Sequence, residues 1–470
     1  MSPNRITALV EQLGIRLSLD QHALVGGALL VLLIRVVGAA LAYLGMIVLI
    51  RWMGAAEFGI YSYALSWATV LGLLLPLGTN AALLRFIPEY QERRFTERLK
   101  GVVTRLRLIV TLASFAGAAL GLLIVLTIGA EISAPYRVPI IISLCCVPIF
   151  ALMDLHEGMA RAFGWQTLAY GPPYVLQPLL MLLGTGAVAM SGIRPDAAIA
   201  MAAMLVGSVL CLGWQITSIH INLAGRLRAV KARHHTRYWM AISLPLLVME
   251  AFRAMLENTD ILLLGALAEP QAVAAYVAAL RTAGLLGFLF FAVAAIAVPK
   301  IAQTHFGSGR EALQRLVSAS TALIFVPSLV GAGLLVVAGP WILALFSPEF
   351  TSAYAALAIL VLAHLFRAAT GPVEYMLNLT GHERACMPAY IAAGAFNIAA
   401  NLVLIPILGL IGAAIATASA MILVQFWLAC QVWRRLGIVP FIAPSLISRT
   451  TRPAVSCGLL GRGRHGEGRI

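Results

Sequence analysis

The chain has 470 residues, 61% of them hydrophobic and only 11% charged, with a mean hydropathy of +0.92. That composition excludes an ordinary soluble domain and describes an integral membrane protein. A formal net charge of +14 raises the question of nucleic-acid binding, which the placement of the basic residues answers.

Residues 1–22 are polar and mildly amphipathic and read as a cytoplasmic segment; the apolar run that follows is too long for a signal-peptide core, so no cleavage is expected. Apolar stretches of membrane-spanning length then predict twelve helices, near 23–50, 59–84, 108–128, 138–160, 170–190, 197–219, 239–265, 272–298, 316–345, 352–379, 386–405 and 409–433. With the N-terminus inside, 26 of the 33 Lys and Arg residues fall on the cytoplasmic side, three fall in exterior loops, and Arg35, Arg253, Arg281 and Arg367 lie within spans. This asymmetry places both termini in the cytoplasm. Basic clusters such as Arg93, Arg94, Arg98, Lys100, Arg105 and Arg107 are explained by topology and anionic membrane lipids, and no nucleic-acid partner is expected. Six cysteines lack metal-ligand or redox spacing and read as free thiols, with no metal or cofactor expected. Beyond Leu436 the pattern changes to a short apolar scrap and a Gly- and Arg-rich end, Ser456 to Ile470. Residues 437–470 read as a disordered cytoplasmic tail or as a truncated end.

An internal repeat organises the spans. Ala197-Ala198-Ile199-Ala200 opens the sixth and Ala413-Ala414-Ile415-Ala416 the twelfth, an offset of 216 that also carries Tyr174 onto Tyr390. At 215, Tyr61, Ala64 and Leu65 fall on Tyr276, Ala279 and Leu280, and Arg85 falls on Lys300. One register with a single slip argues for duplication. Six spans per repeat make the two parallel, a six-helix bundle over 23–225 and another over 239–436 joined by a basic cytoplasmic linker, 226–238. The expected fold is an all-α polytopic membrane protein, about twelve transmembrane helices in two parallel six-helix repeats around a central cavity. Connections are too short for a soluble catalytic domain, and no catalytic residues are assigned.

Four ionisable residues of the seventh span, Glu250, Arg253, Glu257 and Asp260, share one helical face. Charge in hydrocarbon is costly, at least about 2.5 kcal/mol per side chain at mid-depth, so this stripe faces protein or water. It reads either as a transport pathway or as a set of local ion pairs that locks the bundle. Arg35, Glu250, Arg253 and Arg367 fall near the middle of their spans; Arg281 lies nearer the exterior, level with Glu257 and able to pair with it. Glu374 follows Arg367 by seven residues, hence on the same face of a continuous helix. Arg35 and Arg367 are the primary candidates to bind an anionic headgroup, since a guanidinium fork suits phosphate or carboxylate and stays charged when buried. Arg253 and Arg281 are weaker candidates because acids lie close to them. Glu250, Glu257, Asp260 and Glu374 are candidates to line the cavity or to carry a coupling proton or sodium ion. Asp154, His156, Glu157 and Arg161, at the cytoplasmic end of the fourth span, read as helix-end solvation with a Glu157–Arg161 pair. Pro245, Pro299, Pro327 and Pro406 are candidate bending points.

Several stretches, Gly54 to Tyr61 (GAAEFGIY), Arg85 to Tyr90 (RFIPEY), Asp260 to Gly265 (DILLLG), Asn401 to Pro406 (NLVLIP) and Gly412 to Thr417 (GAAIAT), resemble polysaccharide-transporter (Wzx-type) flippases. These belong to the multidrug/oligosaccharidyl-lipid/polysaccharide exporter superfamily. The resemblance covers about Val25 to Leu436 and implies a bacterial inner-membrane protein that moves a polyprenyl-diphosphate-linked oligosaccharide across the bilayer by alternating access. It implies a polysaccharide polymerase and glycosyltransferases as partners in the same synthesis. It assigns no invariant cavity residue to a numbered position here. The alternative is a cation-coupled drug or small-molecule antiporter of the same superfamily.

Overall fold

A computed structural model of the protein describes residues 19–128, 133–227, 230–307, 309–382 and 385–442. The N-terminal residues 1–18, most of the tail and Cys457 lie outside the described residues. The helices are α1 (Leu19–Met53), α2 (Ala55–Leu74), α3 (Thr79–Glu92), α4 (Thr96–Ile128), α5 (Ala134–Ala162), α6 (Gln166–Gly171), α7 (Gln177–Met190), α8 (Ala197–Leu227), α9 (Thr236–Leu267), α10 (Pro270–Gly284), α11 (Leu286–Gly307), α12 (Gly309–Phe346), α13 (Tyr354–Thr370), α14 (Val373–Leu379), α15 (Cys386–Leu408) and α16 (Leu410–Leu436). Among the described residues twelve stretches are long and apolar enough to cross a membrane, in the expected order. The chain is an all-α multi-pass membrane protein.

Helix α4 begins about a turn after α3 ends, so the charged stretch 96–107 is helical and not a loop. Its Leu99, Val102, Val103 and Leu106 are buried while Glu97 and Arg105 stay exposed, an amphipathic pattern that an average over hydropathy hides. Helix interruptions fall at positions other than the expected bending points. Pro245, Pro327 and Pro406 lie inside unbroken α9, α12 and α15, and α11 continues through position 299. The second span instead breaks between α2 and α3, where Leu77 and Gly78 have φ of 56° and 71°. The eighth breaks at Leu285. The tenth was expected to continue over 352–379, and it ends at Thr370: Gly371 turns the chain with φ of 64°, and Pro372 has no N–H to extend the ladder. Glu374 therefore sits on a separate helix, α14, and the seven-residue spacing from Arg367 does not put both on one helical face.

The neighbour order of the two halves is the same, as duplication requires. In the first half the fourth span, α5, packs against α2, α4 and α8, and α7 packs against α8. In the second half α13 packs against α10, α12 and α16, and α15 against α16. The halves meet where α2 lies against α9 and α10. Gly59 permits that approach, because a Cβ there would strike the Pro270 carbonyl.

The buried apolar residues divide unevenly along the membrane normal. At the end away from the basic loops, one core joins both halves: Met46, Leu49 and Ile50 of α1 and Ile60 and Ala64 of α2 with Leu264 of α9, Tyr276 and Ala279 of α10 and Phe346 of α12. At the basic-loop end each half has a core of its own, around Phe86, Leu106, Leu155 and Ile219 in the first and Ile301, Val317, Leu377 and Leu428 in the second. The halves thus share one core on one side; on the other they have separate cores, joined where Trp239 of α9 is buried in that of the first half. Around the linker, Arg233 N donates to the Glu97 carbonyl (3.0 Å), Lys100 Nζ to the Val230 carbonyl (2.8 Å) and Trp239 Nε1 to the Tyr90 hydroxyl (2.9 Å), so the linker rests on the first half. Residues 437–442, expected within the disordered tail, pack against α12. Val439 N donates to Gln314 Oε1 (2.8 Å), Gln314 Nε2 donates back to the Val439 carbonyl (2.9 Å), and Ile438 is buried.

Candidate functional site

The α9 stripe divides into two environments. Arg253 pairs with Glu250 at 2.8 Å and with Glu257 at 3.6 Å, the local i, i+3 and i, i+4 geometry. Their side chains are 48%, 30% and 60% exposed, respectively, so the group borders open space. Asp260, by contrast, is buried. Its carboxylate accepts from the Tyr276 hydroxyl (2.5 Å), from Thr417 Oγ1 (3.1 Å) and from Ile261 N (2.8 Å), which ties α9 to α10 and α16 behind the stripe. Arg281 lies in electrostatic range of Asp260, and among the described residues the expected Glu257–Arg281 pair is not formed; Glu257 is engaged by Arg253.

Opposite Glu250 and Arg253 stand Asp154 and Arg161, expected as helix-end solvation, together with Asn80, which the sequence did not single out. Asn80, Asp154 and Arg161 line a small polar cavity of 80 Å³ together with Glu250 and Arg253. Asn80 Nδ2 donates to Asp154 Oδ1 at 2.6 Å, and Arg161 pairs with Glu157 at 3.6 Å. Glu157 lies in electrostatic range of Arg161, Arg35 and Arg253, so α5, α1 and α9 address one space from both halves. A signal for this was present: Asp154, Glu157 and Arg161 have the same i, i+3, i+7 spacing as Glu250, Arg253 and Glu257. His156 belongs to neither set; it is buried inside the first half with Nδ1 2.6 Å from the Leu152 carbonyl.

Arg35 and Arg367 are held differently. Among the described residues neither forms an ion pair within 4.0 Å. The Arg35 guanidinium lies 5.3, 5.1 and 5.5 Å from the ring centres of Tyr170, Tyr174 and Phe291, and it donates to the Tyr174 hydroxyl at 3.4 Å. Arg367 lies 4.7 Å from the ring of Phe290. The Nε atom of each arginine is buried and lacks a partner. The tyrosines come from the fifth span, where Pro172 and Pro173 cannot donate to preceding carbonyls and the helix widens into a π turn over Pro172–Leu176. Tyr375 lies in electrostatic range of Glu374, Arg367 and Arg35, and Tyr390 in range of Glu374 and Arg367. Arg253 is in turn in electrostatic range of Tyr390.

Arg35 also stands at the wall of a cleft of about 320 Å³ between the halves, bounded by Leu32, Ala39 and Ala42 of α1, Tyr174 and Pro178 of the fifth span, Met204 of α8 and Phe288 and Phe291 of α11. Its lining is predominantly apolar, while Leu33, Val36 and Val37 of the adjoining α1 surface are exposed. Hydrocarbon and a fixed cation therefore meet at one place.

A family model described as "Polysaccharide biosynthesis protein" matches residues 24–305, more than half the chain. The chain belongs to this polysaccharide biosynthesis protein family. Among solved structures, "Lipid II flippase MurJ, inward closed conformation" superposes with a TM-score of 0.68 at 16% identity, covering 86% of this chain and 87% of that one. An inward-facing multidrug resistance MATE transporter of the MOP superfamily gives 0.65 at 14% identity, covering 88% and 96%. A MOP superfamily transporter from Pyrococcus furiosus, described as having a binding pocket of reverse polarity, gives 0.61 at 13% identity, covering 88% and 95%. At these identities the likeness is one of fold. No curated protein matches the chain in sequence. This member of the polysaccharide biosynthesis family thus shares its fold with those solved structures, and its Asp154, Arg161, Glu250 and Arg253 line one cavity between the halves.

Proposed function

We propose that this family member is a flippase for a polyprenyl-diphosphate-linked oligosaccharide, such as a repeat unit of O-antigen, capsule or exopolysaccharide, working in the bacterial inner membrane with both termini cytoplasmic. The observation that carries this reading is the meeting of an apolar inter-bundle cleft with two arginines that have no carboxylate partner. A lipid-linked substrate has the matching pair of features, a hydrocarbon chain that stays in the bilayer and a phosphate headgroup that needs cationic donors. Arg35 and Arg367 would take the phosphates, their planar forks suiting bidentate contact. The sugars would lie against Asp154, Arg161, Glu250 and Arg253 once the halves part there, since the 80 Å³ cavity these residues line in this state is smaller than one hexose. The core shared by both halves at the far end, against cores divided at the basic-loop end except at Trp239, supports opening toward the cytoplasm, where such a substrate is made. Glu250, facing Asp154 across the halves, is the placement that best suits a coupling ion; Asp260 lies behind, saturated by hydrogen bonds.

The antiporter reading predicts a different cargo. In proteoliposomes, the account expects a fluorescent polyprenyl-diphosphate oligosaccharide to change leaflets while a cationic dye is not extruded. Dye extrusion with an immobile lipid-linked sugar would favour the antiporter.

A further inference from the structure

We propose that Phe290 and Phe291 are positioning residues that hold Arg35 and Arg367 charged, oriented and uncommitted, so that the two cations act as one receptor for a diphosphate. The proposal rests on the reading of both arginines as anion ligands and adds what sets their geometry.

Consecutive residues on a helix point about 100° apart, so a dipeptide can serve two partners. Phe291 meets Arg35 of the first half at 5.5 Å, and Phe290 meets Arg367 of the second at 4.7 Å. The two rings themselves contact edge to face, with centres 6.3 Å apart and planes at 90°. Phe290 is backed by the stacked ring of Tyr375 at 6.4 Å. The result is a continuous row, guanidinium, ring, ring, guanidinium, with α11 fixing the relation between cations that belong to different bundles.

The chemistry of the contact explains its use. An aromatic ring stabilises a guanidinium through its face, whereas the five N–H donors of arginine point outward in the plane. Ring contact therefore leaves most of the hydrogen-bonding edge available; Arg35 spends one long bond of it on the Tyr174 hydroxyl. A carboxylate would occupy that edge and would have to be displaced by an incoming phosphate. Arg161 and Arg253 show this other arrangement, spending their edges on Glu157 and on Glu250 and Glu257. The unpartnered, buried Nε atoms of Arg35 and Arg367 are the mark of donors left open.

The test uses the full chain in lipid nanodiscs and inorganic pyrophosphate as probe, with binding measured by calorimetry. Phe290→Leu, Phe291→Leu and the more volume-conserving Phe291→Met are expected to weaken binding about five- to tenfold each, through lost ring contact and preorganisation. Phe290→Tyr and Phe291→Tyr, which keep the ring, are expected to stay within about twofold. Arg35→Ala combined with Phe291→Leu should bind no worse than Arg35→Ala alone, since the ring acts through the arginine. Leu and Met variants that bind like wild type, Tyr variants as weak as Leu, or additive losses in the double variant would each overturn the proposal while leaving the anion site standing. Wild-type protein that ignores pyrophosphate, or binding that survives both Arg35→Ala and Arg367→Ala, would overturn the anion site and this proposal with it.

Discussion

Among the described residues, a few polar links join the halves in the seal at the end away from the basic loops, and they give a measurable handle on the conformational equilibrium. Arg51, near the end of α1, donates from Nε and Nη2 to the Leu345 carbonyl at 3.2 and 2.9 Å, capping the last turn of α12. Tyr43 shares a 2.9 Å hydrogen bond with Thr282 of α10. A cation at an exposed helix C-terminus contributes about 0.3–1 kcal/mol. A net hydroxyl–hydroxyl bond contributes about 0.5–1.5 kcal/mol. Removing both with Arg51→Ala and Tyr43→Phe should cost the sealed state about 1–2 kcal/mol, which raises the population open on that side roughly 5- to 30-fold. Ser62, 5% exposed within the seal, supplies the reporter as Ser62→Cys in a background lacking the native cysteines. A membrane-impermeant maleimide applied from the side away from the basic loops should label this site faster in the double variant by that factor. Labelling at the wild-type rate would show that these contacts do not hold the seal and would refute the reasoning.

Other outcomes follow from the same geometry. Arg35→Ala and Arg367→Ala should each lower transport of the lipid-linked sugar at least about tenfold, and Lys should rescue poorly because it lacks the planar fork; wild-type transport by both Ala variants, folded by size-exclusion chromatography, would remove the substrate assignment. Gly371→Ala should lower the thermal unfolding midpoint, since position 371 has φ of 64° and a Cβ there would meet the Thr321 side chain; the strain is about 1–3 kcal/mol, and an unchanged midpoint would contradict it. Sugar flux in vesicles should respond to an imposed proton or sodium gradient in wild type and lose that response in Glu250→Gln or Asp154→Asn; flux indifferent to both gradients would exclude a coupling role.

The fold was legible because its signals are long-range averages. Twelve apolar stretches, the charge asymmetry of the loops and the offset linking Tyr61 to Tyr276 and Tyr174 to Tyr390 depend on no single residue's conformation. The site was legible to the extent that burial of charge is costly wherever it occurs, which singled out Arg35, Arg367 and the α9 stripe. What it missed were conditions set by tertiary contact. The spacing of Arg367 and Glu374 presupposed a continuous helix that Gly371 and Pro372 end. Asp260 shares a helical face with Glu257, yet Tyr276 and Thr417 draw it into the packing, because a face about 80° wide can border both a hollow and a neighbour. Asp154 and Arg161 appeared to sit at a solvated helix end because their partners lie some 95 positions away in sequence, on α9. The aromatic seats of the arginines left no trace, since Phe and Tyr in an apolar span carry no distinguishing pattern.

The most direct measurement is an electron cryo-microscopy map of the protein in nanodiscs with a polyprenyl-diphosphate oligosaccharide bound. The account predicts the phosphates between Arg35 and Arg367, the hydrocarbon leaving through the cleft between α1 and α11, and the sugar beside Glu250 and Asp154. A headgroup resolved elsewhere, touching neither arginine, would contradict it.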